Sequence, residues 1–330
     1  MINELSRATS YLQTFYLDHT KNRWALRSHA TGFFIRTEES IFLVTNWHVV
    51  SGIDPASPKS AQGGTPYYIK STIYGREGAL TELTIPLYDR DMKPLWYEHP
   101  DGMDVDLVAL KLPLQLEKYY HFYDIARVLN HDHNIAEHVG RDAFIIGYPF
   151  NRVEMLATFG DDAAYYLPVW KRGSIASKPA LRLGGRVLLI GSLSRPGMSG
   201  SPVVIAEEVD EIGTNSRKNA DALKELVAGR NALDAVLKLD TDDLVPRRVK
   251  KYQLLGIYSG TIGTTRLAEV ALGQCWHIDV IKQLFDDARP GTVPNAPTEH
   301  DLYNALLDEM SGQLIIIDYE GNRKHAEDLA

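Results

Sequence analysis

The sequence predicts an all-β core of two antiparallel six-stranded barrels, with a helical insertion and a C-terminal helix plus tail. Three observations carry this expectation. Short apolar runs bounded by Gly, Pro and Asp recur along the chain and fall into two sets. Each set supplies enough short strands to close on itself, which removes exposed sheet edges. A charged stretch with helical spacing interrupts the second set.

The first set lies at residues 9–17, 31–37, 40–46, 67–74, 80–87 and 106–112. The second lies at 143–147, 167–177, 186–193, 202–206, 253–259 and 267–272, and a helical segment follows at 278–288. Gly184-Gly185 reads as a hairpin turn; no helix opening with Lys-Ser/Thr follows it, so it is no phosphate loop. The expected organisation is an N-terminal barrel over 1–125, a C-terminal barrel over 126–288, and a linker with extension over 289–330.

Within the second barrel, 207–251 is the charged insertion. Leu223, Leu226, Val227, Leu233, Val236 and Leu237 recur there at near-helical spacing, followed by Asp240-Thr241-Asp242-Asp243 and Arg247-Arg248. It reads as a helical decoration with one solvated face, and as a docking arm for a regulatory protein partner. A Pro-rich linker at 289–297 leads into an amphipathic 301–310 and an apolar 314–317. The tail is expected to add a strand to an edge of the second barrel or to contact another chain.

Composition narrows the class. With 330 residues, 44% hydrophobic and 24% charged, the chain can bury a real core in two small domains or in one domain with extensions. One cysteine, Cys275, excludes an intramolecular disulfide framework and fits a reducing compartment. Met1-Ile2-Asn3-Glu4-Leu5-Ser6-Arg7 lacks a basic start with an apolar run, and no later stretch is long and apolar enough to span a bilayer. The expectation is a soluble, cytoplasmic protein without membrane partners. A formal net charge of -8 argues against a general binder of nucleic acid or anionic membranes.

Chemistry concentrates in three segments. Ser194-Arg195-Pro196-Gly197-Met198-Ser199-Gly200-Ser201-Pro202 sets a serine between glycines. Gly197 lets the loop turn so that its N–H and that of Ser199 face one way, as an oxyanion requires, which makes Ser199 the candidate nucleophile. Ile41-Phe42-Leu43-Val44-Thr45-Asn46-Trp47-His48 is a buried-strand pattern that ends on a histidine, so a general base is anchored on a rigid β element. Asp104-Val105-Asp106-Leu107-Val108-Ala109-Leu110 puts a carboxylate at the mouth of another apolar strand, where it can orient an imidazole. Asp101 and Asp104 compete with Asp106, Asp104 from the same face of an extended strand. Asp106 is preferred because the apolar run starts directly after it.

These segments resemble the trypsin-like, chymotrypsin-fold serine peptidases, in particular the bacterial group of trypsin-like peptidase domains. The matching motifs are Thr45-Asn46-Trp47-His48, Asp106-Leu107-Val108-Ala109-Leu110-Lys111-Leu112 and Gly197-Met198-Ser199-Gly200-Ser201-Pro202, in the family's order. Trp170-Lys171-Arg172-Gly173-Ser174-Ile175-Ala176-Ser177 looks like a strand that the bacterial group carries before its nucleophile, and Gly256-Ile257-Tyr258-Ser259-Gly260 like the family's substrate-pairing segment. The resemblance spans roughly residues 10–287. It implies a serine endopeptidase that cleaves a protein or peptide through an acyl-enzyme, with His48, Asp106 and Ser199 as triad, the N–H groups of Gly197 and Ser199 as oxyanion hole, and neither cofactor nor metal. It maps the specificity pocket to Leu193, Ser194 and Arg195 at the floor and Ser259 and Gly260 at the wall. Lacking a carboxylate unless Glu269 reaches in, that pocket disfavours Lys or Arg; Leu193 with Ser194 suits a small or medium uncharged residue, whereas an inward Arg195 favours an acidic one.

Two departures matter. Met198 stands where secreted members keep the aspartate that meets a freshly cut N-terminus, so that route of activation is closed. Ser201 replaces the second glycine of the motif, a small residue some bacterial members tolerate. The order of the three residues and Ser201 at the fifth motif position argue against an α/β-hydrolase. His131-Asp132-His133 reads as a solvated loop rather than a metal-ligand pair. The rival function is a catalytically inactive protease-like binding module in a regulatory complex.

Overall fold

The computed structural model describes residues 3–38, 40–54, 64–75, 80–122, 124–125, 135–150, 156–158, 164–193, 195–214, 216–227, 232–261, 271–294, 297, 299–311, 316–317 and 323–324. The strands are β1 (Thr9–Asp18), β2 (Arg23–Arg36), β3 (Ile41–Thr45), β4 (Tyr68–Gly75), β5 (Leu80–Pro86), β6 (Trp96–Glu98), β7 (Val108–Leu112) and β8 (Tyr120–His121). They continue with β9 (Asp142–Gly147), β10 (Leu156–Thr158), β11 (Ala164–Tyr166), β12 (Val169–Ile175), β13 (Val187–Gly191), β14 (Pro202–Thr214), β15 (Leu244–Thr261), β16 (Leu272–His277) and β17 (Arg289–Pro290). The last two, β18 (Ile316–Ile317) and β19 (Arg323–Lys324), pair only with each other, as do β10 and β11. No helix among the described residues is long and apolar enough to cross a membrane.

Contacts divide the chain into two compact units, residues 1–205 with 253–330, and residues 206–252. The large unit holds two sheets. One is a ring of six strands in the order β12-β13-β16-β15-β14-β9. The other is a nine-stranded sheet along β17-β6-β7-β3-β2-β1-β4-β5, with β8 on β4. The expected pair of six-stranded barrels is thus met by one closed ring and one larger sheet. In the latter the short β6, β8 and β17 extend or branch the path, and no ladder joins its ends at β5 and β17 among the described residues.

Alternation builds the first core. β5 alternates half-buried with buried positions along its length, which turns Thr81, Leu83 and Ile85 inward. Leu12, Ile41, Leu43, Trp47, Ile69, Leu87, Tyr88 and Trp96 are all essentially inaccessible in the same cluster. A second cluster inside the ring joins Ile145, Ile175, Leu188, Ile190, Met198, Val203, Ile205, Leu255, Tyr258 and Cys275. Four strand positions differ from expectation: β14 continues past the expected 202–206 to Thr214, β15 starts at Leu244 rather than 253, and β2 and β16 are displaced. β2 begins at Arg23, ahead of the expected 31–37, because Arg23-Trp24-Ala25-Leu26-Arg27-Ser28-His29 groups apolar and then polar residues without alternation and stays half-solvated, a weak strand signal. The last ring strand runs over Leu272–His277, with Gly273, Cys275, Trp276 and His277 buried, while 267–270 of the expected 267–272 lie outside the described residues.

Among the described residues the smaller unit carries two helices, Arg217–Val227 and Ala232–Lys238; 228–231 of the expected stripe over 219–239 lie outside them. Buried Ala222, Ala235 and Asn219 hold it together, with Asn219 bonded in both directions to Asp240, at 2.8 and 2.9 Å. Val236 and Leu237 face outward, 53% and 79% exposed, so the predicted apolar face is only partly used.

The C-terminal extension docks on the nine-stranded sheet and not on the second barrel's edge. β17 pairs with β6, and buried Glu98 accepts from Arg289 Nε, Thr292 N and Thr292 Oγ1, each at 3.0 Å. The helix His300–Ser311 inserts Tyr303 into the first core, where its hydroxyl accepts from Tyr88 N at 3.1 Å and donates to Tyr88 O at 2.8 Å. That carbonyl and amide sit at an isolated bridge, so they need the phenol. Tyr303→Phe leaves both buried groups without it and is expected to cost about 1–3 kcal/mol. Urea unfolding at equilibrium measures this, and an unchanged midpoint would contradict the docking account.

Candidate active site

Asp106 follows a loop that the sequence reads as extended but the chain folds as a 3-10 turn, Gly102–Asp104. Gly102 makes the turn possible, with φ of 63° and the Arg289 guanidinium packed where a Cβ would stand. The turn leaves Asp104 exposed and hands Asp101 to Arg186, while Asp106 enters the interior at 5% exposure. Asp104 therefore does not share a face with Asp106; the strand argument fails because the strand starts only at Val108.

His48 does not sit on β3 itself. β3 ends at Thr45, Asn46 stays extended, and His48 lies in the first turn of a short helix, Trp47–Ser51. The Asn46 amide makes no helix cap; Nδ2 donates to Asp106 O at 2.7 Å instead. His48 N donates to Asp106 Oδ1 at 2.9 Å, and His48 Nδ1 lies 2.7 Å from Oδ2. A carboxylate only accepts, so the proton of the neutral ring is on Nδ1 and the Nε2 lone pair is free to take another. The His48 side chain keeps 26% of its surface exposed, an edge open to a reactant.

Ser259, expected only as a pocket wall, also donates its hydroxyl to Asp106 Oδ2. Burial pushes the Asp106 carboxyl up, but the His48 charge and the hydrogen bonds from His48 and Ser259 together hold it below the ordinary carboxylate value. Burial likewise pulls the His48 imidazolium down. Asp106 by charge and hydrogen bond, and Asp54 by charge, outweigh burial and the opposing Arg27, so the ring titrates above its ordinary value.

The Ser199 turn is held from both sheets. Gly197 and Gly200 take φ of 93° and 85°, and a Cβ on them would stand 2.2 Å from Tyr148 O and 1.9 Å from Thr31 O. Only glycine fits there. Met198, between them, is buried in the ring's core, which anchors the turn. On the ring side Gly200 N donates to Tyr258 O at 2.9 Å and Tyr258 N to Ser201 O at 2.8 Å. On the other side Thr31 of β2 donates its N–H to Ser199 O and its hydroxyl to Gly197 O, both at 2.8 Å, and accepts from Tyr148 N at 3.1 Å. The carbonyl of Thr31 accepts from Thr45 Oγ1 at 2.8 Å, three residues before His48.

The N–H groups of Met198, Gly200 and Ser201 all meet protein carbonyls, whereas those of Gly197 and Ser199 meet none among the described residues. These two donors are the pair expected for an oxyanion. No hydrogen bond joins Ser199 Oγ to the His48 ring among the described residues; backbone and Thr31 bring the two segments together. Leu193 and Arg195 are exposed, the first at 45%, and no described residue approaches the position a Cβ on Gly260 would take within 4 Å. Ser194, Glu269 and His131-Asp132-His133 lie outside the described residues.

Sequence reasoning gave Thr31 no weight and took Asn46 only as part of the matched histidine motif, without a role of its own. Thr31→Val keeps the shape and strands the Tyr148 amide and the Gly197 carbonyl, so it is expected to cost about 1–3 kcal/mol of stability. Thermal unfolding checks this, and a stability equal to wild type would remove Thr31 as the latch.

The comparison with family models falls on this region. The model of the trypsin-like peptidase domain matches residues 30–209, which include Thr31, His48, Asp106 and Ser199. A search of curated proteins returns no match. On a family match that covers more than half of its length, the chain belongs to the trypsin-like peptidase domain family.

Proposed function

We propose that the protein is a serine endopeptidase that hydrolyses peptide bonds of a protein substrate through an acyl-enzyme. The observation that carries this is the coupling of a buried Asp106–His48 pair to a glycine-bounded serine turn with two N–H groups that meet no acceptor among the described residues. Ser199 Oγ attacks the scissile carbonyl while His48 Nε2 takes its proton. Asp106 holds the ring in the tautomer required and stabilises the imidazolium that forms, without becoming protonated. The negative charge that develops on the carbonyl oxygen meets the N–H groups of Gly197 and Ser199. His48 then gives the proton to the leaving amine, and water repeats the sequence on the acyl-enzyme.

The rival reading, a non-catalytic binding module that uses the same site, draws on the missing Ser199–His48 hydrogen bond. That bond is commonly long before substrate arrives, so geometry without substrate does not favour the rival.

Turnover of a denatured protein or a peptide library decides between them. Ser199→Ala and His48→Ala are each expected to remove nearly all hydrolysis, and together to cost no more than either alone, because they act in one step. Asp106→Asn is expected to lower kcat on the order of 10⁴ through the wrong tautomer. Additive losses, or a wild type that cleaves nothing, contradict the reading. The base must be neutral, so kcat/KM is expected to rise with pH through a midpoint above the ordinary imidazole value. In Asp106→Asn the residual rate should rise at lower pH, since the carboxylate that raises the ring's proton affinity is gone; a pH–rate profile unmoved by that substitution would contradict the pairing.

A further inference from the structure

The turn that carries Ser199 is supported from a further direction, the segment ahead of β1. A five-residue helix, Glu4–Ala8, precedes that strand; Asn3 Oδ1 accepts from Leu5 N at its start and Thr9 Oγ1 donates to Leu5 O at its end, both at 2.9 Å. A helix this short has no stability of its own in water, since isolated helices under about 12 residues are marginal. Docking holds it. Leu5 and Ala8 are wholly inaccessible, and Ser6, Thr9 and Ser10 are buried with them. Trp170 of β12 donates its indole N–H to Ser6 Oγ at 2.8 Å, which fastens the helix to the six-stranded ring.

The second fastening is Tyr148. It follows β9 and is buried; its hydroxyl donates to Thr9 O at 3.1 Å, and its ring centre lies 5.4 Å from that of Tyr11. The backbone beside it touches the serine turn. Tyr148 N donates to Thr31 Oγ1, the latch of the turn, and Tyr148 O fills the space that a Cβ on Gly197 would need. Two residues on, Phe150 N donates to Pro196 O at 2.8 Å. One residue back, Gly147 packs on Ser201, whose Oγ would stand 2.0 Å from a Cβ there. Residues 147–150 thus lie against the turn by their backbone and are tied to the N-terminal segment by the Tyr148 side chain.

We propose that Tyr148 is a positioning residue, through which the docked segment 3–10 fixes the backbone of the serine turn and with it the direction of the Gly197 and Ser199 N–H groups. This deepens the peptidase reading and rests on it. Neither N–H meets a protein acceptor among the described residues, so the backbone around them sets their aim. Oxyanion donors help only when aimed before the charge develops, and a displacement on the order of 1 Å can cost about 10²-fold in rate. Release of the helix therefore lowers turnover without touching the triad. Burial, and then the Tyr74 charge, hold the Tyr148 phenol far above its ordinary value, so the hydroxyl stays a donor throughout the working pH range.

Tyr148→Phe removes the hydroxyl and keeps the ring. Its kcat is expected to fall about ten-fold with KM within about two-fold of wild type and the pH midpoint of His48 unmoved, while a fluorophosphonate still labels every folded chain at completion. Trp170→Phe, which cuts the other fastening, should act in the same direction. Together they should cost less than the product of their separate losses, because both work through one docked segment. Tyr303→Phe is the control, with stability lowered and kcat retained. Hydrogen exchange of the 195–201 amides, read by mass spectrometry, reports the turn without catalysis and should quicken in Tyr148→Phe. Unchanged kcat or unchanged exchange in Tyr148→Phe overturns the proposal, as does a loss of rate matched by an equal loss of labelled sites. Losses that multiply in full assign the two residues separate roles and overturn it too. A wild type that cleaves nothing, with exchange at 195–201 still quickened by the substitution, keeps the brace and removes the peptidase reading.

Discussion

Burying a carboxylate costs several kcal/mol unless donors surround it, and Asp106 imposes that demand where three segments meet. The helix after β3 answers with the amide and ring of His48, Asn46 covers the aspartate's own carbonyl, and Ser259 comes from β15 of the six-stranded ring. Each donor is thereby fixed in place. The histidine's tautomer, the start of its helix and the approach of the ring to the nine-stranded sheet follow from satisfying one charge.

The serine turn obeys a second constraint that meshes with the first. Its backbone passes so close to Thr31 and Tyr148 that side chains at Gly197 and Gly200 are sterically excluded. Thr31 then binds the turn from one side and, through its carbonyl and Thr45, the histidine segment from the other. A shift of the turn would break bonds in both sheets at once, which gives the site the rigidity that oriented N–H groups need. The C-terminal extension adds to this frame from behind, since Glu98 ties residues 289–292 to the strand that leads into the Asp106 loop.

Much of this was legible in the sequence because the constraints are local. Glycines at positive φ around Ser199, an apolar run after Asp106 and a buried strand before His48 each leave a short-range mark. Thr31 left none, and Asn46 only its place in the histidine motif without a role, since a buried hydroxyl or amide is recognised only by the distant carbonyl it serves. Asp104 was an open competitor until the 3-10 turn at Gly102 took it off the strand. The half-solvated start of β2, the register of β16 and the docking of Tyr303 escaped for a related reason. Their burial is set by partners far along the chain, and the alternation within each segment is too weak to announce it.

The most direct test of the account is covalent labelling by a serine-directed fluorophosphonate, with the labelled residue located by mass spectrometry. The account predicts one modified residue, Ser199, in the wild type. It also predicts loss of labelling in His48→Ala although the serine remains, because the hydroxyl is reactive only while His48 can take its proton. Labelling at another serine, no labelling of folded wild type, or undiminished labelling of His48→Ala would contradict it.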